Sequence, residues 1–434
     1  MELTPQIEMS DSYPPVQEEV ARLAGLPEVR AAFDWFRSQE PQFGEWQMES
    51  ARIAAPPFGE AARGAWLADR FRELGLSDVH VDEVGNVFGL HEDPRGLARR
   101  RAPALGGQEC PPYTISLSAH LDTVFPATTP LNIRQQGSRL YGPGVADNGA
   151  GIAALLAVAS VIRAASISHA LPFVFIGNVG EEGEGDLRGM RHVFSTPRWR
   201  DSITYSVIVD GAGSDTVVAE ALGSRRFEVI VRGPGGHSWS DFGAPNPILV
   251  LARAIGTFGQ TPVPSLPKTT FNVGVIRGGT SVNSIPESAS MRVDLRSTSM
   301  TEIDRLEHAL RVAVDQAVEV ENRAAAGHAK RKPPGVQSEV VAIGNRPAGE
   351  LGADTRILKV IRAVDAQLGN AAQVQRASTD ANVPLSLGRE AIAIGGGGSG
   401  GGAHTLQEWF DTNGRDLGLR RILLTMLALS GVGE

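Results

Sequence analysis

Cysteine is almost absent from this sequence, since Cys110 is the only one in 434 residues. A single thiol excludes an intrachain disulfide and any metal site built from cysteines. Cys110 lies in a loop rich in glycine and proline, away from other nucleophile patterns. We therefore interpret it as an incidental thiol and expect any chemistry to rest on other side chains.

Long apolar runs and an excess of positive charge are also missing. No apolar run approaches the roughly 20 residues that cross a bilayer, and the formal net charge is −8 at pH 7. Such a chain is not expected to bind nucleic acid or an anionic membrane as its main partner. The start, MELTPQIEMSDSYPP, has neither the basic residues nor the apolar core of a secretory signal. We therefore expect a cytoplasmic protein.

The length of the chain predicts two domains, because single hydrophobic cores stop growing beyond roughly 250–300 residues. The pattern changes near Glu220, where a β-α-β-β-α-β order begins. This order predicts a small α+β sandwich inserted into a larger α/β domain. We expect residues 1–218 and 347–434 to form the larger domain and residues 219–346 the insertion. Within the insertion, residues 323–335 are expected to be a loop.

The segment SAHLDTV, residues 118–124, is central to the larger domain. It continues a buried strand, YTISLS, of β-favouring residues. His120 and Asp122 share a face at the carboxyl end of this strand, because side chains two apart point the same way. That edge is where open α/β sheets bind ligands. By itself the pair is a weak signal, and a polar strand end would be the preferred interpretation if the chain offered no partners for it.

Acidic residues recur after the following elements. Asp147 stands at the start of an apolar helix, where helix capping is a sufficient explanation by itself. Glu181 and Glu182 follow the buried strand LPFVFIGN, and adjacent carboxylates repel each other unless a cation is nearby. Asp210 follows the next strand, YSVIV. Successive strands thus end in metal-binding side chains, and this repetition favours a metal site.

The glycine run 395–402 leads to His404 and Glu408. It lacks the Gly-Lys-Ser/Thr ending of a phosphate-binding loop, and no helix plainly begins in it. The arginine-rich loop at 95–101 is interpreted as solvated surface.

Together, HLDT, the glycine-rich turn with Asp147, EEG, Asp-Gly and the late H-T-x-x-E resemble a known family. It is the co-catalytic zinc peptidase and amidohydrolase family of tripeptide aminopeptidase T, carboxypeptidase G, acetylornithine deacetylase and succinyl-diaminopimelate desuccinylase. The resemblance implies a mixed-sheet, three-layer α/β/α catalytic domain with an inserted ferredoxin-like lid and dimerisation domain. The segments RPAG and Asp380-Ala-Asn382 look most like the aminopeptidase T branch, whereas Asn148 departs from it.

The resemblance also implies the metal ligands. One zinc ion would be held by His120 and Asp210, a second by Glu182 and His404, and Asp147 would bridge both. Histidine and carboxylate donors without thiolates suit a catalytic zinc site. The same donors also accept cobalt or manganese.

Further roles follow from the same resemblance. Asp122 would orient the ring of His120, and Glu181 would act as the general base. His237 would reach the active site of the partner subunit and stabilise an oxyanion there. Asn283 would contact the substrate.

These roles describe a homodimeric metal-dependent hydrolase that cleaves an amide bond of short peptides. A deacylase of N-acyl amino acids with the same site is the alternative enzyme. A non-catalytic descendant is a third hypothesis, which the retention of Glu181 and every ligand disfavours. The side-chain preference and the end of the peptide that is trimmed stay open.

Overall fold

The computed structural model describes residues 15–93, 113–328 and 334–431. The chain start, the arginine-rich loop 95–101 and Cys110 lie outside the described residues, so their interpretations stay predictions. The described residues belong to two compact units. The first unit takes its residues from Met1–Ala219, Leu351–Gln375 and Arg389–Glu434, and the second from Glu220–Glu350 and Arg376–Gly388.

The helices are numbered in chain order. They are α1 (Val16–Gly25), α2 (Pro27–Ser38), α3 (Glu40–Ala51), α4 (Ala61–Glu73), α5 (Gly149–Ala164), α6 (Arg188–Ser195), α7 (Pro197–Ser202), α8 (Pro247–Phe258), α9 (Met300–His328), α10 (Arg356–Leu368), α11 (Asn382–Ser386) and α12 (Arg415–Ser430).

The strands are numbered in the same way. They are β1 (Ser77–Val81), β2 (Val87–His91), β3 (Thr114–His120), β4 (Arg134–Gln136), β5 (Arg139–Tyr141), β6 (Phe173–Asn178), β7 (Ile203–Val209), β8 (Thr216–Ala221), β9 (Gly223–Arg232), β10 (Gly236–His237), β11 (Thr269–Gly278), β12 (Ser284–Ile285), β13 (Ser288–Ser297), β14 (Gln337–Arg346), β15 (Gly349–Glu350), β16 (Gln373–Ala377), β17 (Glu390–Ile394), β18 (Ser399–Gly401) and β19 (Trp409–Asp411).

The main sheet of the first unit has the order β1-β2-β6-β3-β7-β17-β8. Strands β6, β3, β7 and β17 run parallel to one another, whereas β2 runs antiparallel to β6. Every residue of β3 and β6 is buried, as expected for parallel strands covered on both faces. In the register of β3 with β6, His120 lies opposite Asn178, so both strands end at the same edge. The expected mixed-sheet α/β fold is confirmed.

Helix α5 packs on strands β3, β6 and β7. Its small and aliphatic residues are buried over most of its length. Its N-cap is Asn148, whose side-chain oxygen accepts a hydrogen bond from the backbone N–H of Gly151 at 3.0 Å. The capping alternative for Asp147 is therefore wrong, and its carboxylate is available for another role.

The second unit contains an antiparallel sheet of order β11-β13-β9-β14. Helices α8 and α9 pack on it and share its apolar core, which includes Phe227, Val229 and Leu310. The expectation of a loop over residues 323–335 is wrong in its first part, because α9 continues to His328. Residues 329–333 lie outside the described residues.

Within the three described ranges, no helix combines the length and the apolar character that crossing a membrane requires.

Candidate metal centre

The carboxyl edge of the main sheet brings together five of the predicted side chains. His120 is the last residue of β3, and Asp210 directly follows β7. Glu182 follows β6 after a short turn, Asp147 precedes α5, and His404 lies between β18 and β19. Their ligand atoms form two groups, within each of which all atoms lie within 4.8 Å of one another.

The first group consists of His120, Asp147 and Asp210. The Nε2 atom of His120 lies 3.1 Å from Oδ1 of Asp147 and 3.7 Å from Oδ1 of Asp210. His120 is only 1% exposed. Its Nδ1 lies 3.1 Å from the backbone oxygen of Asp122 and can donate to it, which leaves Nε2 facing the carboxylates.

The second group consists of Asp147, Glu182 and His404. The Nε2 atom of His404 lies 3.0 Å from Oδ2 of Asp147 and 3.0 Å from Oε1 of Glu182. Asp147 thus presents one carboxylate oxygen to each group. The backbone of His404 has a φ of 64°, which is uncommon for a residue with a side chain and occurs often at functional sites.

These distances fit a metal site. Ligand bonds of 2.0–2.1 Å at tetrahedral angles separate two ligand atoms by about 3.3 Å, and the four distances above lie between 3.0 and 3.7 Å. The donors are imidazole nitrogen and carboxylate oxygen, which suit zinc and other divalent ions. The residues therefore fit two ions that share Asp147.

The electrostatics of the site also favour a bound cation. A hydrogen bond to Asp147 and the charge of Glu182 raise the pKa of His404 to about 9. Burial disfavours the cation of His120, yet the surrounding Asp122, Asp147 and Asp210 carboxylates raise its pKa well above the usual range. The same carboxylates that favour a positive charge on these rings also favour a bound metal cation.

The Asp122 carboxylate is held mainly by backbone groups. Its two oxygens accept hydrogen bonds from the backbone N–H groups of Glu181 at 3.0 Å and Glu182 at 2.7 Å. Its Oδ1 lies 3.7 Å from Nδ1 of His120, beyond hydrogen-bond distance. The nearest contact to that ring nitrogen is the backbone oxygen of Asp122. The side chain of Asp122 therefore ties the loop that follows β6 to the end of β3.

Glu181 lies in that loop and is 6% exposed. Among the described residues it belongs to neither ligand group, whereas its neighbour Glu182 belongs to the second. The carboxylates of these adjacent residues thus differ in their surroundings, because only that of Glu182 faces the other candidate ligands.

Glu408 was part of the H-T-x-x-E pattern but had no predicted role. Its fully buried carboxylate accepts backbone hydrogen bonds from Gly144, Ala146 and Asp147 at 2.7–2.8 Å. Burial raises the pKa of Glu408 to about 7, against the effect of these donors. Its position four residues after His404 was the only sequence signal for a role at this site.

Arg63 is a residue of the site that the sequence did not reveal. It is 2% exposed, and its Nη1 donates to the backbone oxygen of Leu121 at 2.7 Å, directly between His120 and Asp122. Burial lowers the pKa of Arg63 to about 10, although the nearby carboxylates oppose this shift. An arginine within an amphipathic helix carries no local signal of such a contact.

A cavity of about 500 Å³ adjoins the ligand groups. Besides Asp147 and Asp210, Asp215 is the only other charged residue that lines it, and no lysine, arginine or histidine does so within the described chain. The remaining lining residues are small, including glycines 398 and 400–402. The cavity is therefore acidic, and its glycines allow a ligand to approach the backbone closely.

His237 and Asn283 lie together in the second unit. The short strands β10 and β12 pair there, with His237 opposite Ser284. The backbone N–H of Ser238 donates to the oxygen of Asn283 at 3.0 Å. Both predicted lid residues are exposed. The structure thus brings these two residues to one place on the surface of the second unit.

The model of peptidase family M20/M25/M40 matches residues 116–427, which is more than half of the chain. This match confirms the family resemblance inferred from the motifs. A probable carboxypeptidase of Aspergillus clavatus is 30% identical over 258 residues, which cover 55% of this chain and 54% of that protein. The chain thus spans about half the length of the curated relatives it matches.

Solved structures support the fold. Aminopeptidase PepT from Bacillus cereus has a TM-score of 0.69 at 18% identity, with 90% of this chain and 99% of that chain covered. The YXEP protein of Bacillus subtilis, described as a dinuclear metal binding peptidase, has a TM-score of 0.61 at 14% identity, with 91% and 99% covered. At these identities the similarity establishes the shared fold alone.

Proposed function

This chain belongs to peptidase family M20/M25/M40, and on that premise we propose that it is a metal-dependent hydrolase that cleaves an amide bond of short peptides. The observation that carries the proposal is the sharing of Asp147 between two groups of ligand atoms. Two neighbouring cations repel each other, and a carboxylate between them offsets that repulsion.

The first ion would be held by His120, Asp147 and Asp210, and the second by Asp147, Glu182 and His404. We propose zinc, with cobalt or manganese as ions that the same donors accept. The dinuclear site named for the Bacillus subtilis relative supports this stoichiometry. When bound, the ion pair would polarise the amide carbonyl and lower the pKa of a water molecule.

Glu181 would accept the proton of the attacking water on its carboxylate and later return it to the leaving amine. Asp122 supports this role, because its carboxylate fixes the backbone N–H groups of Glu181 and Glu182. These hydrogen bonds therefore fix the position of the two glutamates relative to the end of β3. Such positioning is what proton transfer over hydrogen-bond distance requires.

The acidic cavity supports a substrate with a free amino group. An ammonium group would be attracted by Asp215, whereas a substrate carboxylate would meet no cationic side chain among the lining residues. This favours trimming from the amino end and disfavours the alternative deacylase, whose N-acyl amino acid substrates lack that ammonium.

We further propose that residues 219–346 form a lid and dimerisation domain and that residues 1–218 and 347–434 form the catalytic domain. His237 would stabilise the oxyanion in the partner subunit's site, and Asn283 would contact substrate. The pairing of β10 with β12, which places these residues side by side, supports a shared role. A cytoplasmic location also stays a prediction.

Metal analysis combined with a substrate panel tests the proposal. We expect about two ions per chain and release of amino acids from di- and tripeptides. N-acetylated versions of the same peptides and N-acetyl amino acids should react much more slowly. Preferential turnover of N-acetyl amino acids would instead establish the deacylase, and full activity after exhaustive chelation would refute a metal-dependent reaction.

A further inference from the structure

We propose that Glu408 is a positioning residue of the metal centre, whose carboxylate holds the loop 144–147 and through it both carboxylate oxygens of Asp147. The inference rests on the proposed function, because it concerns the ligand that the two ions would share. Glu408 itself belongs to neither ligand group of the described residues.

The contacts of Glu408 use both oxygens of its carboxyl group as acceptors. Oε2 accepts from the N–H of Gly144 at 2.8 Å, and Oε1 accepts from the N–H groups of Ala146 at 2.7 Å and Asp147 at 2.8 Å. A glutamine amide has one acceptor oxygen and an NH₂ group. In either orientation the NH₂ would face a backbone donor, and at least one buried N–H would lose its partner.

The position of Asp147 depends on these contacts because its own backbone nitrogen is one of the three donors. Oδ1 of Asp147 faces His120 at 3.1 Å, and Oδ2 faces His404 at 3.0 Å. A shift of this backbone moves both oxygens at once. The loss of Glu408 should therefore weaken both ion sites together, unlike the loss of a residue that supports one site.

The backbone of Glu408 connects the same two segments. Its oxygen accepts from Gly142 N–H at 3.0 Å, and its nitrogen donates to the oxygen of Thr405 at 3.2 Å. Glu408 thus joins the loop before α5 to the turn that carries His404. Both segments contribute a ligand to the second group.

The test is a zinc titration of metal-free protein in competition with a chelating dye, for the wild type and Glu408→Gln. We expect both binding steps to weaken by about 10–100-fold, the usual effect of removing a group that orients metal ligands. The matched control is Asp365→Asn. Asp365 is also a buried carboxylate of the first unit, and Arg421 donates to it at 2.6 and 2.9 Å. This control should lower the unfolding midpoint of metal-free protein without changing the zinc affinity.

Native zinc affinity in folded Glu408→Gln would overturn the inference, and so would weakening of one step alone. A wild type that binds no zinc would instead overturn the proposed metal centre. Hydrogen exchange on metal-free wild-type protein gives a test that needs no variant. The amides of Gly144, Ala146 and Asp147 should exchange more slowly than in an unstructured peptide, and unprotected exchange would refute the role of Glu408.

Discussion

Histidines lie at both edges of the main sheet, but their surroundings at the two edges differ. At the carboxyl edge, His120 and His404 face carboxylates. At the other edge, His91 ends β2, and His169 precedes β6 and stacks on Phe173 at 4.2 Å between ring centroids. Nδ1 of His169 lies 2.7 Å from the oxygen of Leu171, and its Nε2 lies 2.8 Å from Nδ1 of His91.

The two edges shift the histidine pKa in opposite directions. Burial lowers the pKa of His91, although Asp93 opposes this shift. At the carboxyl edge, Asp147 and Glu182 raise the pKa of His404 to about 9. The hydrogen bonds of the first arrangement need no charged ring, because His169 can donate from Nδ1 and accept at Nε2. Convergent carboxylates, not histidine or burial alone, therefore distinguish a candidate metal site from a structural pair.

The largest effect is expected for Glu181→Gln at the carboxyl edge. Glutamine keeps the shape of glutamate but cannot accept the proton of the attacking water, so turnover should fall by about 10²–10⁴. Metal content should stay unchanged. Steady-state kinetics on a tripeptide and metal analysis measure both quantities. Asp93→Asn, at the opposite edge, is the control and should keep its turnover. Near-normal turnover in Glu181→Gln would show that another group is the base.

The next largest effect is expected for His237, and it tests whether catalysis needs a residue of the second unit besides the carboxyl edge of the first. His237→Ala should lower kcat by about 10²–10³, the usual loss for one oxyanion donor, with unchanged metal content. Rapid-mixing or steady-state assays at saturating peptide measure this change. Unchanged kcat would leave His237 as an ordinary turn residue of the second unit.

Mixed dimers test the proposed exchange of His237 between subunits. Combining inactive Glu181→Gln and His237→Ala chains should restore part of the activity, because one site then has an intact base and a donated histidine. Differently tagged chains allow the mixed dimer to be purified and assayed. Mixed dimers that form but stay inactive would exclude the cross-subunit role, as would a strictly monomeric protein with normal turnover.

A smaller effect is expected when histidines of the two edges are replaced one at a time. His120→Ala and His404→Ala each remove a ligand from one group, so each should weaken one zinc-binding step by at least roughly 10–100-fold. His91→Ala should leave both steps unchanged. Zinc titrations of the three metal-free variants decide the comparison. Equal weakening in His91→Ala would mean that general destabilisation, not ligand loss, controls the affinity.

The smallest effect concerns the pH dependence of stability at the His91 edge. Because the pKa of His91 is lowered on folding, the unfolded chain binds the proton more readily. Its contribution to stability is therefore present above the unfolded value of about 6.5 and decreases as the pH falls below it. In His91→Gln, the decrease in unfolding free energy from about pH 7 to 5 should be smaller than in the wild type. Urea unfolding at several pH values measures the unfolding free energy. An equal decrease in His91→Gln and in the wild type would contradict the prediction.

The sequence by itself determined the local elements and the candidate ligands. Short runs of hydrophobic and β-favouring residues predicted the buried strands before His120 and Asp210. The order β-α-β-β-α-β of the second unit followed from the same kind of pattern. The grouping of the ligands was implied by the family resemblance, since Asp147 precedes a helix and His404 lies between two antiparallel strands.

Only the tertiary structure decided which groups hold these ligands in place. Glu408 and Asp147 are 261 residues apart, and Arg63 and Leu121 are 58 apart, so no local pattern encodes either contact. Asn148, and not Asp147, caps α5 because its side-chain oxygen reaches the N–H of Gly151. Periodicity reports which face of an element is buried, whereas a hydrogen bond between distant segments depends on how the chain returns to the same place.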